Sequence, residues 1–174
     1  LAKAYLAEVL QIDRRTRSEE HPYYIRHLIR LAEVTHDLGE ASEADALYRK
    51  VVALNQRVLG PEHPESIDTL SAFGTFLLET DRLEEAQNVL TTVLETNRRV
   101  RGPTHSYIGN DLENLGRLAY LRGDFTGARR YLEDALEIYR QSLPPTHGFI
   151  ATSLTTLGRT QLARQHRRSG PDRG

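Results

Sequence analysis

Residues Val58–Glu65 read VLGPEHPE, with a glycine, two prolines and a histidine set between two runs of periodic apolar residues. The histidine recurs in register, because His21, His63, His105 and His147 stand 42 residues apart. Four such histidines are readable as metal ligands, as catalytic bases, or as punctuation between repeated structural units. The choice among these readings decides the fold.

Working outward from the histidines, residues 21–62, 63–104 and 105–146 superimpose column by column, with 1–20 as the end of an earlier unit and 147 onward as the start of another. Seven places after each histidine stand Leu28, Leu70, Leu112 and Leu154. Three further on come Leu31, Phe73, Leu115 and Leu157, followed by the small residues Ala32, Gly74, Gly116 and Gly158. This is one helical face with a small residue where a second helix approaches closely. The second half of each unit repeats too, in the columns Ala2/Ala44/Ala86/Ala128, Leu6/Tyr48/Leu90/Leu132 and Leu10/Val52/Leu94/Leu136. Spacings of four describe another amphipathic helix, without the alternation of a strand.

Each unit is therefore a pair of helices. Gly39 and Gly123 suit the left-handed end of a first helix, Asp81 tolerates that geometry less well, and Asp124 is placed to cap the next helix. Leu59-Gly60-Pro61, Arg101-Gly102-Pro103 and Leu143-Pro144-Pro145 stop the second helices, because proline cannot continue the hydrogen-bond ladder. Pro22 and Pro64 suit a first helical turn. The expected helices cover 2–17, 23–38, 41–59, 64–80, 83–101, 106–122, 125–143 and 149–165. The expected fold is all-α, an array over 1–165 made of a half repeat (1–20), full repeats (21–62, 63–104, 105–146) and a half repeat (147–165), followed by a flexible basic tail, 166–174.

The columns Leu112, Leu115-Gly116, Ala119, Gly123, Ala128, Leu132 and Ala135 resemble the tetratricopeptide repeat. The 42-residue length and the linker Leu59–Pro64 are similar to the variant of kinesin light chains and of many bacterial regulatory proteins, and Asn114-Leu115-Gly116 resembles its Asn-Leu-Ala. The resemblance implies an α-α superhelix, a right-handed solenoid whose concave surface, lined by first helices, binds peptides or partner helices. Arg30, Ala72 and Thr156 stand where that variant has asparagine. The Lys/Asn/Arg set with which chaperone-binding members hold a terminal carboxylate is missing.

Helical phase then nominates a peptide-binding groove of Arg26, Arg30, Glu33, Asp68, Thr75, Asn110, Asn114, Arg117, Tyr120, Thr152, Thr156 and Arg159, with Glu79 beside them. Arg26 and Arg30, four apart, suit a carboxylate or phosphate held by forked hydrogen bonds, which points to an acidic partner. The amide of Asn114 suits a peptide backbone, because it both donates and accepts.

Metal binding by the histidines is not expected, since ligands about 2.0–2.1 Å from one ion must converge, whereas equivalent residues on stacked helices lie about 8–10 Å or more apart. No regularly placed nucleophile or glycine-rich phosphate loop accompanies them. The histidines are expected at helix starts, with no catalytic role and no cofactor. The pairs Glu19-Glu20 and Glu84-Glu85 are read as surface charge, the second favoured by a helix dipole.

The 174 residues are 39% apolar with a formal charge of −1, which gives no global pull toward nucleic acid or anionic lipid. There is no cysteine, hence no disulfide or thiolate site. No apolar run approaches the roughly 20 residues of a membrane-spanning helix. No methionine is present and the chain starts at Leu1, so it is expected to be a piece of a longer protein, its uncovered first helix capped there by further repeats; self-association through that face is the alternative. The function expected is a non-enzymatic, cytoplasmic protein-interaction scaffold. The alternative is the sensor arm of a bacterial signalling enzyme, a kinase or nucleotide-dependent regulator; an RNA-binding repeat is disfavoured because no basic stripe is visible.

Overall fold

The computed structural model of the chain describes residues 1–169; residues 170–174, the end of the expected tail, lie outside them. Eight α-helices follow one another, with no strand among the described residues: α1 (Ala2–Thr16), α2 (Pro22–Asp37), α3 (Ala41–Val58), α4 (Pro64–Glu79), α5 (Leu83–Arg101), α6 (Ser106–Leu121), α7 (Phe125–Ser142) and α8 (Gly148–Ser169). The expected histidines sit at helix starts. Nδ1 of His21, His63, His105 and His147 accepts the backbone N–H two residues on, at 3.2–3.3 Å, which satisfies one orphan donor of the first turn.

The turns inside the pairs follow from backbone sterics. Gly39, Asp81 and Gly123, one per repeat in a single column, all have positive φ, at 78°, 58° and 76°. In α8 that column holds Gln165, whose Cβ disfavours the left-handed region, and the helix runs on to Ser169 instead of ending at 165. Residues 166–169 of the expected tail are thus helical, and Arg167 donates from Nη1 to the Gly123 carbonyl at 2.9 Å.

The chain divides into two compact units, Leu1–Phe76 and Leu77 onward. In the first, α1, α2 and α3 enclose Leu10, Tyr24, Ile25, Leu28, Leu31, Val51 and Leu54. Each such leucine or isoleucine removed from water contributes about 1.5–3 kcal/mol. Tyr48 of α3 then packs its ring against Phe73 and Phe76 of α4, with centroids 6.1 and 5.0 Å apart.

In the second unit the central contact is α6 against α7. A Cβ on Gly116 would stand 3.1 Å from Leu132 and 3.4 Å from Tyr131, the close approach expected of the small-residue column. Gly109 is tighter still, because a Cβ there would lie 2.4 Å from the Tyr139 ring.

Polar pairs, each spanning 14 residues and each with a buried member on the second helix, join that helix to the first helix that follows it. His27 Nδ1 donates to Asp13 at 2.7 Å, Asn55 Nδ2 to the Thr69 hydroxyl at 2.7 Å, and Asn97 Nδ2 to Asp111 at 2.7 Å. Asp13, Asn55 and Asn97 occupy one column, whose next member, Tyr139, donates to Glu113 at 3.0 Å, and Ser153 of α8 donates to the same carboxylate. Burial and the Glu113 charge push the Tyr139 hydroxyl well above the usual phenol range.

Candidate functional site

First helices supply most of the lining of a cleft in each unit. In the first unit a cleft of about 270 Å³ is bordered by Pro22, Ile25, Arg26, Ile29 and Glu33 of α2 and by Glu65, Asp68, Thr69 and Ala72 of α4, with Asn55, Val58 and Leu59 of α3 and its end at the base. Of the expected groove residues it holds Arg26, Glu33 and Asp68. Three carboxylates against one guanidinium make this cleft acidic.

The Arg26–Arg30 pair is divided among other contacts. Arg30 donates to Glu33 at 2.7 Å, and the Arg26 guanidinium lies over the Tyr23 ring, 5.6 Å from its centroid. Arg30 does not line the cleft. Thr75, half-buried on α4, gives its hydroxyl proton to the Ser71 carbonyl at 3.2 Å.

The second unit brings together six of the expected residues. A cleft of about 330 Å³ is lined by Asn114, Arg117 and Tyr120 of α6 and by Thr152, Thr156 and Arg159 of α8. Glu113, Leu121, Leu132 and Thr160 complete it. Asn110 is separate, in a small recess with Ser106, Tyr107 and Phe149.

Partner contacts set the character of this second cleft. Glu113 is engaged by Tyr139 and Ser153, which satisfies the one carboxylate at its border. Arg117 reaches Glu79 at 3.2 Å, between groups that are both well exposed, so the pair is weak. Arg159 makes no hydrogen bond or ion pair among the described residues. Thr156 and Thr160 donate to the Thr152 and Thr156 carbonyls at 3.0 and 2.8 Å, which orients their oxygens. What remains toward solvent is guanidinium, amide and phenol over the apolar Leu121 and Leu132. These groups suit recognition of an acidic or backbone-presenting ligand.

Sequence phase alone did not nominate Glu113, Thr160, Leu132, Glu65, Asn55 or Thr69. Asn55 and Thr69 left one signal, a polar residue at a fixed column inside an otherwise apolar face, with a polar partner 14 residues on. The carboxylate pairs are distributed among ion pairs. Glu19 meets Lys50 and Arg14, both at 2.9 Å, Glu20 meets Arg57 at 3.0 Å, and Glu84 meets Arg122 at 2.7 Å. The hydrogen bond from Lys50 holds the Glu19 carboxyl below the usual range despite its partial desolvation. Among the described residues no group of three or more His, Cys, Asp or Glu is placed to hold a metal ion, and no helix is long and apolar enough to cross a membrane.

Comparison with known proteins places this arrangement. A sequence model of the tetratricopeptide repeat matches residues 26–96, 67–141 and 112–169. Among solved structures, the chain is similar to a putative kinesin light chain with nearly identical tetratricopeptide-like repeats from Podosopora anserina, at 23% identity and a TM-score of 0.76, over 95% of this chain and 79% of that one. It is also similar to BtubC from P. vanneervenii, at 16% identity and a TM-score of 0.71, over 98% of this chain and 76% of that one. At these identities the likeness shows the fold alone, the all-α superhelical class of helix pairs. No curated protein matches the chain.

Proposed function

The chain belongs to the tetratricopeptide repeat family, and from that premise we propose that it binds an extended peptide or partner helix along the clefts of its first helices. Repeats of this family are generally protein-interaction scaffolds, and we read this chain as a scaffold without catalysis of its own, working in the cytoplasm. The observation that carries the reading is the second-unit cleft, where six first-helix residues meet and Arg159 has no partner among the described residues. A peptide carboxylate flanked by an apolar residue fits that lining, with Arg117 and Arg159 for the charge and Leu121 and Leu132 beneath.

The test is fluorescence anisotropy with a panel of acidic peptides and their Asn/Gln counterparts. Charge-assisted hydrogen bonds contribute about 1.5–3 kcal/mol each, so Arg117→Glu with Arg159→Glu should weaken acidic-peptide binding at least about tenfold, with unchanged helicity. Undiminished binding would remove the assignment of this cleft, and a panel in which nothing binds would remove the groove reading itself.

A further inference from the structure

Four residues after the Asp13/Asn55/Asn97/Tyr139 column stand Arg17, Leu59, Arg101 and Leu143. The two columns answer each other. Arg17 donates to the Asp13 carboxylate, and Arg101 donates from Nε to Asn97 Oδ1 at 2.9 Å. Each of these guanidiniums also lies over a ring in the first turn of the following first helix, Arg17 over Tyr23 at 5.3 Å and Arg101 over Tyr107 at 3.9 Å. Tyr139 brings a donor of its own, given to Glu113, and a leucine follows it. Asn55 breaks the pattern, because an acceptor there is followed by Leu59, and Glu65 stands in the column of Tyr23 and Tyr107.

The orientation of the Asn55 amide leaves its oxygen without a donor. The Thr69 hydroxyl gives its proton to the Glu65 carbonyl at 2.8 Å, so toward Asn55 it accepts, and Nδ2 is the group that meets it at 2.7 Å. Oδ1 then accepts no hydrogen bond among the described residues. Asn55 is only 2% exposed, yet it lines the base of the first-unit cleft. Its Oδ1 is not one of the fully enclosed orphaned atoms, which are the Thr35 and Ser66 hydroxyl oxygens and Arg129 Nε, so it stays open to the cleft. The exposed Glu65 borders the same cleft and makes no ion pair among the described residues. A buried acceptor below and a carboxylate beside it suit one cation with several N–H donors in a fixed fork. We propose that the first-unit cleft takes an arginine side chain of a partner peptide, whose guanidinium donates to Asn55 Oδ1 and pairs with Glu65, in the place that Arg17 and Arg101 fill from within the chain. Glu33 and Asp68 add negative charge at the border, and the aliphatic stem lies along the half-buried Ile29, Val58 and Leu59. Such an occupant presupposes the groove reading and has the opposite charge to the ligand of the second-unit cleft.

Fluorescence anisotropy with peptides that carry one arginine between aliphatic residues, and with their citrulline counterparts, tests this on the 174-residue chain. Citrulline keeps the shape and loses the charge, so it should bind at least about tenfold more weakly, as the loss of a charge-assisted hydrogen bond requires. Glu65→Gln, at an exposed site, should weaken the arginine peptides by a similar factor. Leu59→Arg restores the arginine of the neighbouring repeats, and its own guanidinium should occupy Asn55 Oδ1 and exclude the peptide. Should circular dichroism show that Leu59→Arg has lost helicity, Glu65→Gln carries the decision. Acidic peptides titrated alongside should bind wild type and both variants equally. Acidic peptides that bind while no arginine peptide does would overturn this proposal and leave the groove reading standing; if neither class binds, both fall. Arginine-peptide binding that survives Leu59→Arg in a folded protein, or that is indifferent to Glu65→Gln or to citrulline, also overturns it.

Discussion

Asp13 is the residue whose chemistry reaches furthest beyond its own position. It is almost fully buried, and it is held there by His27 at 2.7 Å and by the Arg17 guanidinium. The hydrogen bond from His27, aided by that from Arg17, outweighs desolvation and keeps its carboxyl below the ordinary value of 3.8. A depressed folded-state pKa stabilises the fold above the unfolded value and is lost as pH falls through the folded one. Asp13→Asn should therefore lower stability near neutral pH by about 1–3 kcal/mol, the range for a disturbed buried hydrogen-bond partner. It should also flatten the decline below about pH 4, because one depressed carboxylate no longer titrates. Urea midpoints measured across the acid range check both effects, and parallel curves for variant and wild type would contradict them. The cap histidines differ in kind, since each acts within two residues of itself and is legible from its place before a helix.

Between elements, volume is exchanged across a contact. Where Ile25 and Ile67 stand in one column, α6 has Gly109; where Asp13, Asn55 and Asn97 stand in another, α7 has Tyr139. The glycine makes room for the ring, and the ring is pinned through its hydroxyl to Glu113. Gly109→Ala should thus destabilise the chain, since a Cβ 2.4 Å from the buried Tyr139 ring puts overpacking in the upper part of its range of about 1–3 kcal/mol, above the roughly 1 kcal/mol gained in helix propensity. Gly158→Ala, in open space, should instead stabilise it by up to about 1 kcal/mol. Thermal melts of the two single variants should move in opposite directions, and shifts of the same sign would contradict the contact assigned to Gly109. The sequence marks Gly116 as a close approach because its whole column is small. It does not mark Gly109, whose column holds Ile25 and Ile67 in the two preceding repeats, because the compensating tyrosine lies 30 residues away on another helix.

Across the molecule, the same groove pattern acquires a different charge in each unit. The first-unit cleft surrounds Arg26 with Glu33, Glu65 and Asp68, and Arg30 is bound to Glu33. The second-unit cleft keeps Arg117 and Arg159 after Glu113 is satisfied. Arg26→Glu with Arg30→Glu should accordingly weaken an acidic peptide less than the Arg117/Arg159 reversal does, by a factor readable in the same anisotropy titrations. A larger loss at Arg26/Arg30 would move the acidic subsite back to the first unit. The helices, their breaks and the 42-residue period follow from local sterics and apolar spacing, so they could be read along the chain, as could the face on which a groove would lie. Which charges on that face remain available could not. Arg30 and Glu113 are spoken for by partners, Glu33 on the same helix and Tyr139 and Ser153 on others, and such pairings depend on rotamers and helix packing rather than on the order of residues.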